Sequence, residues 1–555
     1  MPNTKKLLSI TNLKKYFPIA KSSIFQKEQY YVHANEDITL DIYEGETLGI
    51  VGESGCGKST LGRVLLQLYD QTAGTSMYYG RTRASVAPHY VKDTLKNADR
   101  YLAKIEKAKQ NKEKAAAAIG AHAEMYNAKI EAAKKENKDS VVKKLTEKRD
   151  SAAFLDQQSL TIAEAKEKTQ IASVVKLLGG FMVENTAQGA SLLLKKTELE
   201  EQKAKLEYHV EDINLRISGL QESGKHPEKI TDYQKELDSI REKEQELDRQ
   251  IKEMDVQIEE AKRPYLSNPK FMEYEAMLDE GIDLSRLRYS EMRLLRKDIQ
   301  IIFQDPYSSL NPRMTVGQII EEGLVTHKYF NKRSEKMKDY ILSVMRQCGL
   351  QDYMLHRYPH QFSGGQRQRI SIARALAVKP KFVVCDECVS ALDVSIQSQI
   401  INLLDELKEK DNLTYMFISH DLSVVRYISD RICVMYLGNV VELSDADTIF
   451  NDPRHPYTVA LLSSIPTTDP DSLDKERILL EGNIPSPIRP PKGCKFHTRC
   501  YMACDKCRHE VPELQEITPG HFVACHFPEK KLDEQGNYLF DIPETSLKVR
   551  RSPVE

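Results

Sequence analysis

Residues 52–59 have the sequence GESGCGKS, a complete G-x-x-x-x-G-K-S pattern that follows the apolar run 47–51. Glycine lets backbone N–H groups approach phosphate oxygens that a Cβ would block, and a following helix adds its positive N-terminal end. In such a loop the Lys58 ammonium reaches the β- and γ-phosphates, and the Ser59 hydroxyl binds Mg²⁺. A plain glycine turn would not need the complete pattern after a strand. The sequence therefore predicts a nucleotide-phosphate site at Gly52, Ser54, Gly55, Gly57, Lys58, Ser59 and Thr60.

Two carboxylates follow a second apolar run, at 382–385. Asp386 is suited to Mg²⁺, directly or through a water, and Glu387 is suited to polarise the water that attacks a phosphoryl group. His420 follows the strand-like run 414–418 in the same manner. Acidic N-caps and strand-end histidines are common, so these residues gain their meaning from the glycine loop that precedes them in the chain.

A second candidate phosphate surface has the sequence SGGQ, at 363–366. Ser363 is placed to cap a helix, and Gly364 and Gly365 leave its N-terminal N–H groups accessible, with Gln366 next to them. One chain then has one phosphate surface more than a single nucleotide uses. The economical interpretation is a head-to-tail dimer with each ATP between two subunits, which rests on the family resemblance given below as well as on the physics.

Alternating strand and helix patterns must position these residues. Strands are predicted at 38–42, 47–51, 298–303, 381–385 and 414–418, and helices at 59–68, 363–378 and 396–409, with short helices over 315–360. Strands that alternate with helices predict an α/β fold in which helices cover a parallel sheet.

The composition changes between about 81 and 280 to Lys, Glu, Ala and Gln with few glycines. Apolar residues recur there at alternating steps of three and four, with a break at 224–227 (GKHP), which predicts an antiparallel coiled-coil hairpin. Each arm has about thirty residues, or roughly 45 Å at 1.5 Å per residue. Residues 91–150 are also expected to be helical and to pair with a helix within 156–180. The seam residues are Leu199, Leu206, Val210, Ile213, Ile217, Leu220, Ile230, Tyr233, Leu237, Ile240, Leu247, Ile251, Met254 and Ile258.

The bulk composition excludes several classes of protein. The 555 residues are too many for one compact core and indicate about three domains. Charged residues make up 29% of the chain but the net charge is only −2, so no overall field for nucleic acid or a membrane surface is indicated. Because no long apolar window and no signal-peptide pattern are present, a cytosolic protein is predicted.

Taken in chain order, the motifs closely resemble the ATP-binding subunits of bacterial oligopeptide and dipeptide importers, above all the F-type subunit of the oligopeptide permease. These are ATP-binding cassette (ABC) ATPases. The resemblance covers about 1–80 and 281–530 and leaves out the segment between them. The matching segments are GETLGIVGESGCGKSTLGR at 45–63, FQDPYSSLNPR at 303–313, YPHQFSGGQRQR at 358–369 and HPYT at 455–458.

The resemblance implies roles for further residues. Gln304 would sense Mg²⁺ and the γ-phosphate, and Phe17, or its neighbour Tyr16, would stack on adenine. Cys388 departs from the proline that usually follows the catalytic glutamate, which should loosen the turn, but the acid pair is retained and hydrolysis is still expected. The implied catalytic set is Glu387, His420 (the switch histidine) and Gln304. The implied Mg²⁺ ligands are Ser59, Gln304 and Asp386, and the implied ATP contacts add Phe17, Ser363, Gly364, Gly365, Gln366, Asp386 and Asp393 of the D-loop.

Partners are implied by the same resemblance. A second ABC ATPase, of the paralogous D-type, would complete the dimer, and two membrane permease subunits would bind it on the cytoplasmic face of the membrane. A substrate-binding protein would take part indirectly, and no nucleic acid is expected.

Five of the ten cysteines lie within 494–525. Zinc is one candidate metal, because four cysteines form structural zinc sites, although the spacing is not that of a zinc ribbon. Cys504 makes a CxxC pair with Cys507 and is an alternate ligand. By resemblance to peptide-importer ATPases, a 4Fe–4S cluster is favoured, bound by Cys494, Cys500, Cys507 and Cys525.

Two other functions fit parts of the pattern. SMC-type ATPases that act on nucleic acid also contain long coiled coils, but their Q-loop precedes the coiled coil, whereas Gln304 follows it here. Residues 224–227 also lack the cysteine pair of a zinc hook. Importers of nickel or glutathione share parts of the motifs, so the cargo class is inferred.

The expected protein hydrolyses ATP to power uptake of oligopeptides or dipeptides. Its fold class is α/β, a P-loop ABC-type nucleotide-binding domain with a helical subdomain, an inserted antiparallel coiled coil and a small, separate Cys-rich C-terminal module. The expected domains are the first part of the ATPase core (1–80), the insert (81–280), the second part of the core (281–445), the C-terminal module (446–530) and a tail (531–555).

Overall fold

A computed structural model describes residues 5–21, 29–135, 138–223, 227–330, 334–465, 478 and 480–528. The chain divides into two compact units, a core unit of Met1–Thr72 with Arg293–Glu555 and an inserted unit of Ala73–Met292. The inserted unit begins earlier and ends later than 81–280 because strands at its two ends pair with each other, Met77 opposite Asp283. The expected tail 531–555 lies outside the described residues.

The core unit starts with two long antiparallel strands, whose inward-facing residues alternate as a half-buried strand requires. A short buried strand and the helix that follows the glycine loop come next. The elements are β1 (Lys6–Pro18), β2 (Tyr31–Tyr43), β3 (Thr47–Val51) and α1 (Lys58–Leu65).

The inserted unit is almost entirely helical. Its elements are β4 (Ala73–Tyr78), α2 (Arg83–Val86), α3 (His89–Lys96), α4 (Ala98–Ala118), α5 (Ala121–Lys135), α6 (Asp139–Leu178), α7 (Thr186–Ser223), α8 (Pro227–Lys262), α9 (Pro269–Glu275) and β5 (Ile282–Asp283).

Helices α7 and α8 pack side by side and run in opposite directions. Lys196 Nζ lies 2.6 Å from Asp255 Oδ1, and further along α7 His209 Nε2 lies 3.0 Å from Glu236 Oε1. The predicted break at 224–227 falls mostly outside the described residues. An apolar cluster between the helices is made of Leu206, Val210, Ile213, Ile217, Tyr233, Leu237 and Ile240.

Helices α4 and α5 pack in series along α6. Lys112 of α4 lies 2.6 Å from Glu167 of α6, so the expected partner segment 156–180 does face this stretch. However, the expected division of the pair is wrong, because 139–150 belongs to α6 itself. Ala- and Lys-rich sequence favours helix at every position, so composition alone did not indicate where one helix ends and the next begins.

The second part of the chain returns to strands that alternate with helices. The elements are α10 (Tyr289–Leu295), β6 (Ile299–Ile302), α11 (Pro306–Ser309), α12 (Val316–Thr326), α13 (Glu335–Gln347), α14 (Gly364–Leu376), β7 (Phe382–Asp386), α15 (Val394–Asp411), β8 (Thr414–Ile418), α16 (Leu422–Ile428), β9 (Arg431–Tyr436), β10 (Asn439–Asp445), α17 (Ala446–Asn451), α18 (Pro456–Ser463), α19 (Asp505–His509), β11 (Gln515–Thr518) and β12 (His521–Val523).

One eight-stranded sheet organises the core unit, in the order β11-β12-β10-β9-β3-β8-β7-β6. From β9 to β6 each strand is parallel to the next one in this order, whereas β10 is antiparallel to β9. The carboxyl ends of these parallel strands meet at one edge of the sheet. This edge therefore carries the glycine loop, the acid pair, His420 and Gln304. The α/β fold expected from the sequence is present.

The C-terminal segment is part of this sheet and is not a separate module, contrary to expectation. Strand β12 pairs with β10, with Val523 opposite Glu442. Glu442, which is fully buried, accepts hydrogen bonds from the backbone N–H of His455 at 2.9 Å and lies 2.8 Å from His521 Nε2. Strand pairing across eighty residues of chain has no local sequence signal, which is why the prediction failed.

Among the described residues, no helix combines the length and the apolar character that crossing a membrane requires.

Candidate nucleotide site and cysteine cavity

Lys58 is the first residue of α1, and its side chain lies back across the glycine loop. Its Nζ donates to the carbonyl oxygens of Gly52 at 2.7 Å and Glu53 at 3.1 Å. The side chain is buried, with only 4% of Lys58 exposed. The loop thus holds the ammonium group in place, while Ser54 and Gly55 at its outer side are exposed.

Two glycines of the loop cannot be replaced without moving the backbone. Gly52 has φ 148° and a Cβ there would lie 2.2 Å from the carbonyl oxygen of Met435. Gly57, which caps α1, has φ 100° and a Cβ would lie 2.1 Å from the carbonyl oxygen of Ala34. Both left-handed conformations and both close approaches require glycine.

Ser59 and Asp386, two of the three predicted magnesium ligands, are in direct contact. The Ser59 hydroxyl donates to Asp386 Oδ1 at 2.5 Å, and Arg63 Nη2 lies 3.3 Å from Asp386 Oδ2. Asp386 is buried at the end of β7. A hydroxyl and a carboxylate held together at a phosphate loop are oxygen ligands of the kind that Mg²⁺ prefers. Thr60 follows on α1 and is partly exposed.

The three residues expected to act in catalysis meet around one carboxylate. Gln304 Nε2 donates to Glu387 Oε2 at 2.7 Å, and His420 Nδ1 lies 3.7 Å from the same oxygen. The backbone N–H of Glu387 donates to the carbonyl oxygen of Ile418 at 3.0 Å, which ties the turn to β8.

Glu387 itself has a left-handed backbone, with φ 48°. This conformation costs a non-glycine residue about 1–3 kcal/mol and is typical of functional sites. It turns the chain immediately after β7, where Cys388 is buried. Sequence reasoning did not predict this strain, because no residue type signals it.

The SGGQ segment begins α14 as predicted. Ser363 Oγ accepts the backbone N–H of Gln366, and Gln366 Oε1 accepts the backbone N–H of Ser363, a complete capping box. Ser363 is exposed and Gly364, Gly365 and Gln366 are partly exposed. Asp393 is exposed as well, and its carbonyl oxygen starts α15 by accepting the N–H of Ile396.

Tyr16 and Phe17, the candidate adenine contacts, have different environments. The Tyr16 hydroxyl donates to Glu36 at 2.6 Å and the residue is buried. Phe17 is partly exposed, with its ring 5.3 Å from that of Tyr69. Of the two rings, that of Phe17 is the one with an accessible surface.

A contact that sequence reasoning missed joins the Q-loop to the SGGQ helix. The Arg367 guanidinium lies 3.7 Å from the centre of the Tyr307 ring, and its Nε donates to the carbonyl oxygen of Pro359 at 2.7 Å. No local sequence signal marks this contact, because Tyr307 and Arg367 are sixty positions apart in the chain.

The four cysteines predicted as ligands line one cavity in the C-terminal segment. Cys504 is not among its lining residues, and its Sγ lies 3.7 Å from that of Cys507. The cavity is lined by His455, Pro456, Cys494, Phe496, His497, Cys500, Met502, Cys507, Cys525, His526 and Phe527.

Burial raises the pKa of all four cavity thiols. It does so for Cys494, Cys500 and Cys507, and the pKa of Cys525 is raised to about 11. Backbone N–H groups of Met502 and Phe527 point to the sulfurs of Cys500 and Cys525, each at 3.4 Å. Within the described ranges, no group of three or more His, Cys, Asp or Glu side chains is arranged to hold a metal ion.

A phosphate loop and an acid pair at one edge of a parallel sheet are the arrangement of an ATP-hydrolysing cassette domain. The sequence model of the ABC transporter family matches residues 35–264 and 270–390, and the chain belongs to this family. A second family model, described as the oligopeptide/dipeptide transporter C-terminal region, matches residues 441–507.

Several curated proteins are similar to the chain. The oligopeptide transport ATP-binding protein AppF of Bacillus subtilis is 54% identical over 254 residues, which are 45% of this chain and 76% of that protein. A putative oligopeptide transport ATP-binding protein of the same organism, YkfD, is 52% identical over 271 residues, 49% of this chain and 78% of that protein. A putative peptide import ATP-binding protein of Brucella ovis is 51% identical over 246 residues, 44% of this chain and 77% of that protein.

Among solved structures, a dimeric post-hydrolysis ATP-binding cassette with ADP and Pi covers 79% of this chain and 99% of its own, at 16% identity and a TM-score of 0.38. So distant a likeness supports no further argument.

Proposed function

We propose that the chain is the ATP-hydrolysing subunit of a transporter that imports oligopeptides or dipeptides. The observation that supports this most directly is the meeting of Gln304, Glu387 and His420 beside the Ser59–Asp386 pair, in a chain that also matches the peptide-transporter C-terminal region. That C-terminal match also disfavours an SMC-like ATPase acting on nucleic acid.

In this proposal each residue of the site has its own role in ATP hydrolysis. Lys58 and the N–H groups of the glycine loop bind the β- and γ-phosphates, and Ser59 with Asp386 and Gln304 holds Mg²⁺, which neutralises phosphate charge when bound. Glu387 accepts a proton from, and orients, the attacking water. Gln304 and His420 hold its carboxylate, so a change at either one misplaces the base.

Dimerisation would complete the site. The helix N-terminus at Ser363, Gly364, Gly365 and Gln366 lies at the surface. Its capping box already pairs the N–H groups of Ser363 and Gln366, so those of Gly364 and Gly365 would receive a second chain's ATP. We propose that the partner is a D-type paralogue. Asp393 would then lie beside the shared interface, and the Phe17 ring would stack on adenine.

The membrane partners follow from the importer assignment. Two permease subunits would bind the helical subdomain near 306–360 on the cytoplasmic face of the membrane, and a substrate-binding protein would deliver the peptide. Closure of the ATPase pair on ATP, and its opening after hydrolysis, would switch the permease subunits between two states.

The proposed occupant of the cysteine cavity is a 4Fe–4S cluster held by Cys494, Cys500, Cys507 and Cys525, and what supports it is that all four line the cavity. A single zinc ion, the alternative metal, would need its four sulfurs about 3.8 Å apart, at Zn–S bonds of about 2.3 Å. A cubane cluster spaces four thiolates more widely and fills the volume between them. Bound there, it would cross-link the segment as a structural centre, with Cys504 outside the ligand set.

The inserted unit would contain an antiparallel coiled coil in α7 and α8. The cluster of seven seam residues and the charge pairs along both helices support this assignment. In the proposed domain order the insert lies between two parts of the ATPase core, and it is taken as the compact unit from residue 73 to residue 292.

Uptake by cells that lack this gene tests the transport assignment. Restoring the chain together with its permease subunits should restore accumulation of a labelled tripeptide, and Glu387→Gln in the same setting should not. Restored uptake of nickel or glutathione without that of peptide would refute the proposed cargo.

A further inference from the structure

The segment that bears the cavity cysteines is bonded to the glycine loop. Arg499, which directly precedes Cys500, donates from Nη1 to Glu53 Oε2 at 2.7 Å and from Nη2 to Glu53 Oε1 at 3.0 Å. This is a two-bond guanidinium–carboxylate pair, the strongest geometry for such a contact. The Arg499 side chain is only 6% exposed and that of Glu53 is 24% exposed, so water screens the pair poorly.

A second bond reaches the same residue of the loop. The backbone N–H of Glu53 donates to the Tyr457 hydroxyl at 2.8 Å. Tyr457 is fully buried, with its ring centre 4.8 Å from that of Tyr436 and 5.3 Å from that of Phe496, which lies between two cavity cysteines in the chain. Glu53 is thus held at its backbone and at its carboxylate by the C-terminal region.

The carboxylate of Glu53 would disfavour a triphosphate if it were unpaired. It belongs to the loop that is assigned to the phosphates, and like charges repel, the more so where water is partly excluded. Arg499 cancels this charge and fixes the loop at the same time. The pair joins two residues that are 446 positions apart in the chain.

We propose that Arg499 is a positioning residue for ATP, which sets nucleotide affinity by neutralising and anchoring Glu53 of the glycine loop. The proposal rests on the proposed ATPase function, since it assumes that ATP binds this loop. Arg499 bonds to Glu53 and is not one of the groups assigned to the reacting phosphate or the water, so it acts on binding and leaves the chemical step to Glu387. The cysteine-bearing segment thereby becomes a determinant of ATP affinity.

Substitution of Arg499 tests the proposal on the purified full-length chain. In Arg499→Met the dissociation constant for N-methylanthraniloyl-ATP and the KM for ATP should both rise about tenfold, because an unpaired carboxylate now faces the phosphates. The kcat should stay within about twofold, as expected when only uniform binding is lost. Arg508→Met, which removes an exposed arginine of the same segment, is the matched control and should bind as wild type does.

A second substitution separates charge from general damage. Glu53→Gln placed in the Arg499→Met background should recover most of the lost affinity, because it removes the carboxylate that Arg499 no longer pairs. A misfolded segment would not be repaired by a change in the loop, so a double variant that binds as weakly as Arg499→Met, or more weakly, would overturn the proposal.

Arg499→Lys keeps the charge without the two-bond geometry, and it serves if Arg499→Met does not fold. Its affinity should lie between those of wild type and Arg499→Met, and an affinity equal to wild type in both variants would also overturn the proposal. If the wild-type chain failed to bind or hydrolyse ATP, the proposed function would fail. An active wild type with an unaffected Arg499→Met would refute only the role of Arg499.

Discussion

The core unit and the inserted unit use their residues in different ways. In the core, single side chains such as Lys58, Asp386 and Glu387 come from separate strand ends and meet within hydrogen-bond distance. In the insert, the same kinds of contact are repeated along helices, as where Arg249 pairs with Glu246 and Glu253 on one exposed face. A core contact has no substitute, whereas each contact of the insert has neighbours that share its role. Changes should therefore remove a function in the core and change only local stability in the insert.

The largest effect is expected at Glu387. Glu387→Gln keeps the size of the side chain and its contact with Gln304 but removes the base, so hydrolysis should fall about 10²- to 10³-fold. ATP binding should remain, because the glycine loop is untouched. Phosphate release and nucleotide affinity are measured together, with exposed Glu406→Gln as the control. Wild-type turnover would exclude Glu387 as the base.

The next largest effect is expected at Lys58, where a substitution should weaken ATP binding. Lys58→Met removes a charged donor from the phosphates and leaves the carbonyl oxygens of the loop unpaired, which should weaken ATP affinity about 10- to 100-fold. Isothermal titration with ATP measures the loss, and Lys410→Met, an exposed lysine, provides the comparison. Equal affinities in the two variants would contradict the assigned phosphate site.

Within the core unit, the cysteine cavity gives a third test. Cys500→Ser should lower bound iron from about four per chain towards zero, since one of four thiolates is lost. Cys504→Ser should keep the iron, because Cys504 is outside the cavity lining. Iron and sulfide are quantified on protein purified without oxygen, together with the visible spectrum. If Cys504→Ser lost its iron and Cys500→Ser kept it, Cys504 would replace Cys500 in the assigned set of ligands.

In the inserted unit the expected effect is local. Ile213→Asp places a carboxylate among the buried apolar residues between α7 and α8 and should destabilise their pairing by about 3 kcal/mol. Tyr208→Asp, at a residue that is 75% exposed on the same helix, should leave stability almost unchanged. Hydrogen exchange of α7 measures both. ATP hydrolysis by either variant should stay within about twofold, and its loss in Ile213→Asp would break the contrast between the two units.

The smallest effect on ATP affinity is expected when most of the inserted unit is removed. Replacing 79–281 by a short Gly/Ser turn joins β4 to β5, which are already antiparallel neighbours. ATP affinity should then stay within about twofold of wild type, since no residue assigned to the nucleotide site lies in the removed segment. A folded, shortened chain that no longer binds ATP would refute this independence.

The same contrast explains what the sequence could predict. Strand-end motifs indicated the parallel sheet and the residues gathered at its edge, because each motif includes its local strand and helix. Periodicity predicted part of the contact between α7 and α8: seven of the fourteen predicted seam residues form the apolar cluster between these helices. The reversal between α5 and α6, the left-handed Glu387 and the Arg499–Glu53 pair were not visible. Uniform helical composition hides the reversal, no residue type signals the strain at Glu387, and the ion pair joins residues that are distant in sequence.

The pairing of Tyr78 with Ile282 brings the two ends of a two-hundred-residue segment side by side. The segment between Tyr78 and Ile282 therefore connects two adjacent antiparallel strands, as a hairpin turn does, whatever its length. The entropy of closing a loop rises only with the logarithm of its length, so lengthening or shortening the helices costs the host little. The closure of this loop therefore constrains the length of the helices beyond the pair only weakly.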